Sequence, residues 1–265
     1  MKKRLAGIGS VLLVFGSLVV MWRLLILAFN IPPYLLPTPL SVAKVSIQKL
    51  PELWSAMMIS GEAAIGGLLA SIVFGIFIAL IFARSPWIRK MFFPYTILLQ
   101  TVPILAVAPL IIIWVGPGLL AVGVVTFVIC LAPIIANTTQ GLVSVDENLV
   151  QLFLMHKASQ GQILSRLRLP HALPYLFVGV RISSGIAVIG ALTGEWFAGS
   201  GRVGQGGLGY SILYAQAQLQ TAYLFALVIA ATVLGFTLFF TVMFFEWLAL
   251  HKWHESALSA GSASE

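Results

Sequence analysis

Six runs of predominantly apolar residues, each about 20 long and closed by charge or turn residues, recur along the chain, and a helix of that length matches the hydrocarbon thickness of a bilayer. They lie at residues 8–29, 63–83, 91–115, 119–138, 175–194 and 222–248. The expected fold class is therefore all-α, a polytopic membrane protein with six transmembrane helices. Charge is too scarce for any soluble alternative: 60% of the 265 residues are hydrophobic and 9% charged, against roughly 25% charged in soluble domains. A soluble fold of this size needs a charged surface that these residues cannot supply.

The net charge of +7 does not point to nucleic acid, because the basic residues sit between apolar runs and form no patch interleaved with stacking aromatics. Their distribution instead sets orientation. With the N-terminus inside, Lys2, Lys3, Arg4, Arg84, Arg89, Lys90, Lys157, Arg166, Arg168 and Lys252 are cytoplasmic, and only Lys44, Lys49 and Arg202 are outside. That asymmetry is the positive-inside pattern, so both termini are expected in the cytoplasm. Met1-Lys2-Lys3-Arg4 and the following apolar run imitate a signal peptide. No small-x-small cleavage site follows, and Met21-Trp22-Arg23-Leu24 continues apolar to Phe29, which predicts an uncleaved first helix. Residues 1–7 read as a cytoplasmic N-terminus, 8–256 as the transmembrane domain, and 257–265 as a disordered tail of small residues.

Pro94, Pro103 and Pro109 interrupt the third run. Each removes a backbone donor, which lipid tolerates only where neighbours or a cavity satisfy the freed carbonyls. Simple bending and a pore-lining role both fit. The polar stretch 140–171 is too charged to span and reads as a cytoplasmic segment of two short helices bent at Gly161. Its apolar face is Leu149, Leu152, Phe153 and Met155, suited either to a partner protein or to the membrane surface.

Catalytic chemistry is not legible. No Gly-x-x-x-x-Gly-Lys-Ser/Thr loop occurs, and His156, His171, His251 and His254 lack metal-ligand spacing. The lone Cys130, inside an apolar run, can form neither an intrachain disulfide nor a zinc cluster. Arg23 and Arg181 lie within apolar runs, and Glu195 and Glu246 near run ends. A charge at the bilayer centre costs at least about 2.5–3.5 kcal/mol, so such residues default to function. Arg181 is shallow enough either to snorkel or to join an internal salt bridge. Paired mid-span carboxylates and matching broken helices are absent, which weighs against the alternative of an ion-coupled secondary transporter. A membrane assembly factor is the other alternative.

The segment closing in Leu167-Arg168-Leu169-Pro170 resembles the loop signature of permeases of binding-protein-dependent ABC importers: Glu-Ala-Ala, three residues, Gly, nine residues, Ile-x-Leu-Pro. Counting back on that spacing puts Lys157 at the glycine, followed by Ala158-Ser159, and Gln151-Leu152-Phe153 at Glu-Ala-Ala. The first half thus departs from the pattern. Leu36-Pro37-Thr38-Pro39, the Pro103 to Trp114 stretch, Pro170-His171-Ala172-Leu173-Pro174-Tyr175, Gly179-x-Arg181, Gly194-Glu195, Gly207-Leu208-Gly209 and Trp253-His254 carry the resemblance over most of the chain. They are similar to the branch of nitrate, sulfonate, taurine and vitamin-precursor permeases.

The resemblance implies a MetI-like permease fold with a core at about 57–249, in the inner membrane of a prokaryote. It implies a second permease subunit, as homodimer or heterodimer, around one pore, and an extracytoplasmic solute-binding protein. Separate ABC ATPase subunits would bind ATP and magnesium, leaving this chain non-catalytic and without a cofactor or metal of its own. Gln151, Leu152, Phe153, Lys157, Ala158, Ser159, Arg166, Leu167, Leu169 and Pro170 would form the ATPase-coupling loop. The bulk of Phe153 and Lys157, where the pattern is small, implies a complementary cleft or weaker coupling. Gln100, Thr101, Pro103 and Asn137 would line the pore, with Arg181 and Glu195 as structural charges. Substrates consistent with the branch are anions such as sulfonates or neutral heterocycles such as pyrimidine vitamin precursors, and Trp253-His254-Glu255-Ser256 tilts the reading toward heterocycles.

Overall fold

The structure, a computed structural model, describes residues 2–199 and 206–261, with side chains described from Leu13 to His251 apart from Phe15 and the segment 200–205. Arg202 and the side chains of Lys2, Lys3, Arg4, Lys252, Trp253 and His254, used above for orientation or resemblance, lie outside that description. Every regular element described is helical: α1 (Lys2–Ala28), α2 (Pro39–Gln48), α3 (Leu50–Arg84), α4 (Pro86–Thr101), α5 (Ile104–Val115), α6 (Leu119–Val143), α7 (Glu147–Met155), α8 (Gln160–Ile163), a π-helical turn (Leu164–Arg168), α9 (Leu169–Ala198), α10 (Leu208–Ala217) and α11 (Thr221–Gly261). The expected all-α class holds.

Local chemistry sets several of these boundaries. Thr38 caps α2 by accepting from the Ser41 N–H, with Pro39 in the first turn, and Ser85 caps α4 from the Ile88 N–H ahead of Pro86. In both, the proline sits where its missing N–H would have had no helical partner.

Four helical stretches are long and apolar enough to cross a bilayer: α3, α6, the continuous helix Gln160–Ala198, and Thr221–His251 of α11. The third expected span, 91–115, is not one kinked helix. It is two helices, α4 and α5, bent by 101° at Val102-Pro103, and only as a pair could they count as a fifth span. Val102 is extended (φ −69°, ψ 121°), the conformation that a following proline imposes. Pro94 and Pro109, by contrast, are carried inside α4 and α5. The first expected span falls on α1, whose described apolar stretch, Gly16–Ala28, is shorter than a span.

Two other expectations shift. The second and fifth runs lengthen at their polar ends, to Leu50 in α3 and Gln160 ahead of α9. Helix α11 continues to Gly261, into the segment 257–265 assigned to a disordered tail, of which 262–265 lie outside the described residues.

Helix α6 is the centre of the bundle, packed between α3 and α9. Side chains at these contacts are small, because between lipid-solvated helices association comes from close packing and interhelical hydrogen bonds. Ser71 Oγ of α3 donates to the Phe127 carbonyl of α6 (2.9 Å), and Ser183 Oγ of α9 donates to the Cys130 carbonyl (2.9 Å). The Cys130 thiol returns a weak donor to the Ser183 carbonyl at 3.4 Å, so this cysteine is a packing residue. A Cβ on Gly190 of α9 would lie 2.9 Å from Thr126 Cα of α6, whereas one on Gly185 would meet nothing within 4 Å. Gly190→Ala should therefore destabilise the α6–α9 contact by about 1–3 kcal/mol, the usual cost of overpacking against backbone. Thermal unfolding in detergent micelles should show a lowered midpoint for Gly190→Ala and none for Gly185→Ala.

Candidate functional site

The segment between α6 and α9 is built as a turn that projects from one end of the bundle. Asp146 caps α7 by accepting from the Asn148 N–H at 2.9 Å. No α7 side chain is buried, and Leu149, Leu152, Leu154 and Met155 are 45–80% exposed, an apolar surface that no other described residue covers. The helix ends in a Schellman turn. The Ala158 N–H reaches the Phe153 carbonyl at 3.0 Å and the Lys157 N–H reaches the Leu154 carbonyl at 2.9 Å, which requires the intervening residue to be left-handed. That residue is Lys157, at φ 54°, the position where the motif spacing sets a glycine. The motif's glycine thus has a backbone reason, and Lys157 keeps the conformation at a cost of about 1 kcal/mol.

The bend expected at Gly161 is displaced to this turn. Gly161 lies inside α8, which Ser159 and Gln162 start with a reciprocal capping box. From there the chain is continuous into α9 through the π turn, closed by the Leu169 N–H on the Leu164 carbonyl. The widened turn makes room for Pro170, whose ring would meet the Arg166 carbonyl of a regular helix and has no N–H to offer it. Leu167 and Pro170 are half-buried and Leu169 is exposed. The two loop arginines separate: Arg166 is exposed, whereas Arg168 turns back and donates to the Ala83 carbonyl at 3.3 Å, capping the end of α3. Gln151, Leu152, Lys157 and Ser159 are exposed, and Phe153 and Ala158 half-buried.

The four residues expected along the pore are not gathered around one cavity. Gln100, Thr101 and Pro103 are exposed at the α4–α5 elbow, with Thr101 Oγ1 donating to the Leu98 carbonyl at 2.8 Å. Asn137 is half-buried in α6, and its amide donates to the Pro133 carbonyl at 2.8 Å. A cavity of about 390 Å³ beside the elbow is lined by Phe82, Phe92, Leu98, Val102, Leu131 and Ile135 among others, and none of the four borders it.

Of the charges within apolar runs, Arg181 of α9 pairs with Glu246 of α11, Nη1 to Oε2 at 3.4 Å, the internal salt bridge of the two readings. Glu195 is the more constrained group, at 4% exposure near the other end of α9. Its Oε1 accepts from Ser60 Oγ of α3 (2.7 Å), and its Oε2 accepts from the Gly209 N–H (2.7 Å). Ser60 Oγ in turn accepts from the Leu208 N–H at 2.8 Å. These are the first N–H groups of α10, which has no side-chain cap of its own at Gly207. Residues of α3 and α9 therefore satisfy donors that a helix start leaves orphaned. Glycine is required on both sides of Leu208: a Cβ on Gly207 would overlap the Glu195 carboxyl, and one on Gly209 would sit 3.0 Å from its Oε2. The sequence displayed Glu195 and Gly207-Leu208-Gly209 as separate features. It concealed Ser60, which lies outside the expected span beginning at Ala63.

Several helices long and apolar enough to cross a bilayer, two of them joined by an exposed apolar turn, define a polytopic membrane protein. The model of the binding-protein-dependent transport system inner membrane component family matches residues 71–249, and the chain belongs to that family. It is 30% identical over 241 residues to a probable ABC transporter permease protein of Haemophilus influenzae, covering 91% of this chain and 95% of the relative. It is 31% identical to the formylaminopyrimidine transport permease protein of Halalkalibacterium halodurans, over 84% of this chain and 87% of that one. Against the riboflavin transport system permease protein of Chloroflexus aurantiacus the identity is 32%, over 90% and 88%. The family resemblance read from the loop motif is borne out.

Relief of the left-handed strain at Lys157 is measurable. Lys157→Gly should slow hydrogen exchange of the Lys157 and Ala158 amides about fivefold, the equivalent of about 1 kcal/mol, and Lys157→Val should speed it.

Proposed function

We propose that the chain forms the solute pathway of an ATP-driven importer and docks through α7 and the Lys157 turn onto a separate ATPase subunit, which binds ATP and magnesium. The observation that carries this reading is the unburied apolar face of α7, held by a capped start and a Schellman end at the spacing of the family's coupling motif. A turn so defined by its own backbone bonds is a preformed docking element, and leaving Leu152 and Met155 in water has no folding rationale. A second permease subunit, a copy of this chain, completes the pathway, and an extracytoplasmic solute-binding protein delivers the solute. With α1 and the α4–α5 pair counted as spans, there are six, and the basic residues put the loop and both termini in the cytoplasm. The transported solute is a small heterocycle of the vitamin or vitamin-precursor class; the formylaminopyrimidine and riboflavin permeases among the relatives support this over a sulfonate-like anion.

Native purification tests the docking claim. The wild-type chain should bring down an ATP-hydrolysing subunit. Leu152→Asp, which changes only an exposed residue, should reach the membrane normally and lose that subunit by at least about tenfold, since an unpaired charge at an interface costs several kcal/mol. Arg166→Glu should weaken retention alone, whereas Arg168→Glu should also lower thermal stability by freeing the Ala83 carbonyl. Retention unchanged in Leu152→Asp would remove α7 from the interface.

Orientation is tested separately. In a Cys130→Ser background, a cysteine at Ser159 should react only with reagents that reach the cytoplasm, and one at Gln216 only with those outside. The reverse labelling would invert the topology.

A further inference from the structure

Helix α8, the π turn and α9 form one continuous helix of 39 residues, Gln160–Ala198, roughly 58 Å long at 1.5 Å per residue. One end emerges directly from the Lys157 turn, with only Ala158 and Ser159 between. The other end carries Glu195. The π turn, Pro170 and Pro174 interrupt the bonding of this helix only at the end nearer the Lys157 turn, and from Tyr175 to Ala198 no proline breaks it, so a displacement that reaches Tyr175 is carried to Glu195.

At the far end, α10 is a helix of 10 residues, too short to span. Its buried side, Leu208 and Ala215, is fully covered, while Leu213, Tyr214, Gln216 and Ala217 are exposed. Its first two donors are held by side chains of other helices, the Leu208 N–H by Ser60 and the Gly209 N–H by Glu195. Its C-terminal end leads into α11 through a tight turn in which Leu219 is left-handed, at φ 53°. The start of α10 is thus hydrogen-bonded to α9 and α3, while the rest of it is held by apolar packing, with Ala215 buried in the core beside α9 and α11.

We propose that Glu195 is a positioning residue that makes α10 move with α9, so that displacement of the Lys157 turn is delivered to the opposite mouth of the pathway. The chemistry favours a carboxyl here. Its two oxygens accept two converging donors at once, and the glycines that flank Leu208 let the backbone come within hydrogen-bond distance. A substitute with no polar group leaves both buried donors unsatisfied. The inference rests on the importer reading for the origin of the displacement, while the bond network itself stands on the geometry.

The test uses the full complex of this chain with its ATPase and solute-binding partners, in the Cys130→Ser background, with spin labels at the exposed positions Ile189 of α9 and Gln216 of α10. The interlabel distance should be the same in the nucleotide-free and ATP-bound states, and Glu195→Ala should broaden it. The same variant should keep its ATPase subunits and their hydrolysis while solute moved per ATP falls at least about tenfold, the scale set by unsatisfied buried donors. Glu195→Gln, which can still accept from Gly209 and bond Ser60, should recover most of that loss. If Glu195→Ala does not accumulate, Ser60→Ala removes two of the three bonds with the carboxyl in place and should show the same broadening. A wild-type distance that changes with nucleotide would overturn the inference, as would Glu195→Ala or Ser60→Ala complexes with wild-type distance and wild-type transport per ATP. A wild-type complex that hydrolyses no ATP would overturn the importer reading, and the inference with it.

Discussion

Hydrocarbon offers no partner to a backbone N–H or C=O, and the whole architecture follows from meeting that demand internally. Helices meet it by themselves, so the interior of the bundle is helix against helix, drawn close by Ser71, Ser183, Cys130 and glycines. Where the chain leaves helical geometry, something else must supply the bonds. At the start of α10 the supply is Ser60 and Glu195. At the end of α3 it is Arg168 on the Ala83 carbonyl. At the end of α7 it is the chain itself, through the Schellman pair.

Much of this was legible in the residues. The positions of the four long spans, in α3, α6, α9 and α11, follow from hydropathy, because the gain from moving apolar side chains out of water into lipid is nearly independent of neighbours. The interruption by proline was visible, but its outcome was not. Pro94 and Pro109 are carried within helices, while Pro103 breaks one by 101°. The difference lies in what packs around each turn, which a proline does not encode. The loop bend was misplaced at Gly161 for a similar reason. Glycine permits a left-handed residue but does not require one, and the capping box of Ser159 with Gln162 drew Gly161 into a helix and left Lys157 to make the turn. Ser60 was unreadable because its partner lies 135 positions away.

The two ends of α9 give the bundle a mechanical logic. Arg181 joins it to α11 partway along, Arg168 joins its extension toward the Lys157 turn to α3, and Glu195 joins its far end to α3 and α10. A helix tied at three levels is suited to move as a body with its neighbours and not to flex alone. Transitions between two discrete packings of this kind are how a local binding event becomes a global one. In an importer the bias toward one packing would come from ATP held by the partner.

The measurement that bears most directly on this account is solute accumulation in proteoliposomes containing the chain, its ATPase and its solute-binding protein. ATP supplied on the face bearing the Lys157 turn should drive accumulation of a pyrimidine vitamin precursor, and ionophores that collapse proton and sodium gradients should leave it intact. Accumulation that proceeds without ATP and vanishes when those gradients collapse would contradict the account.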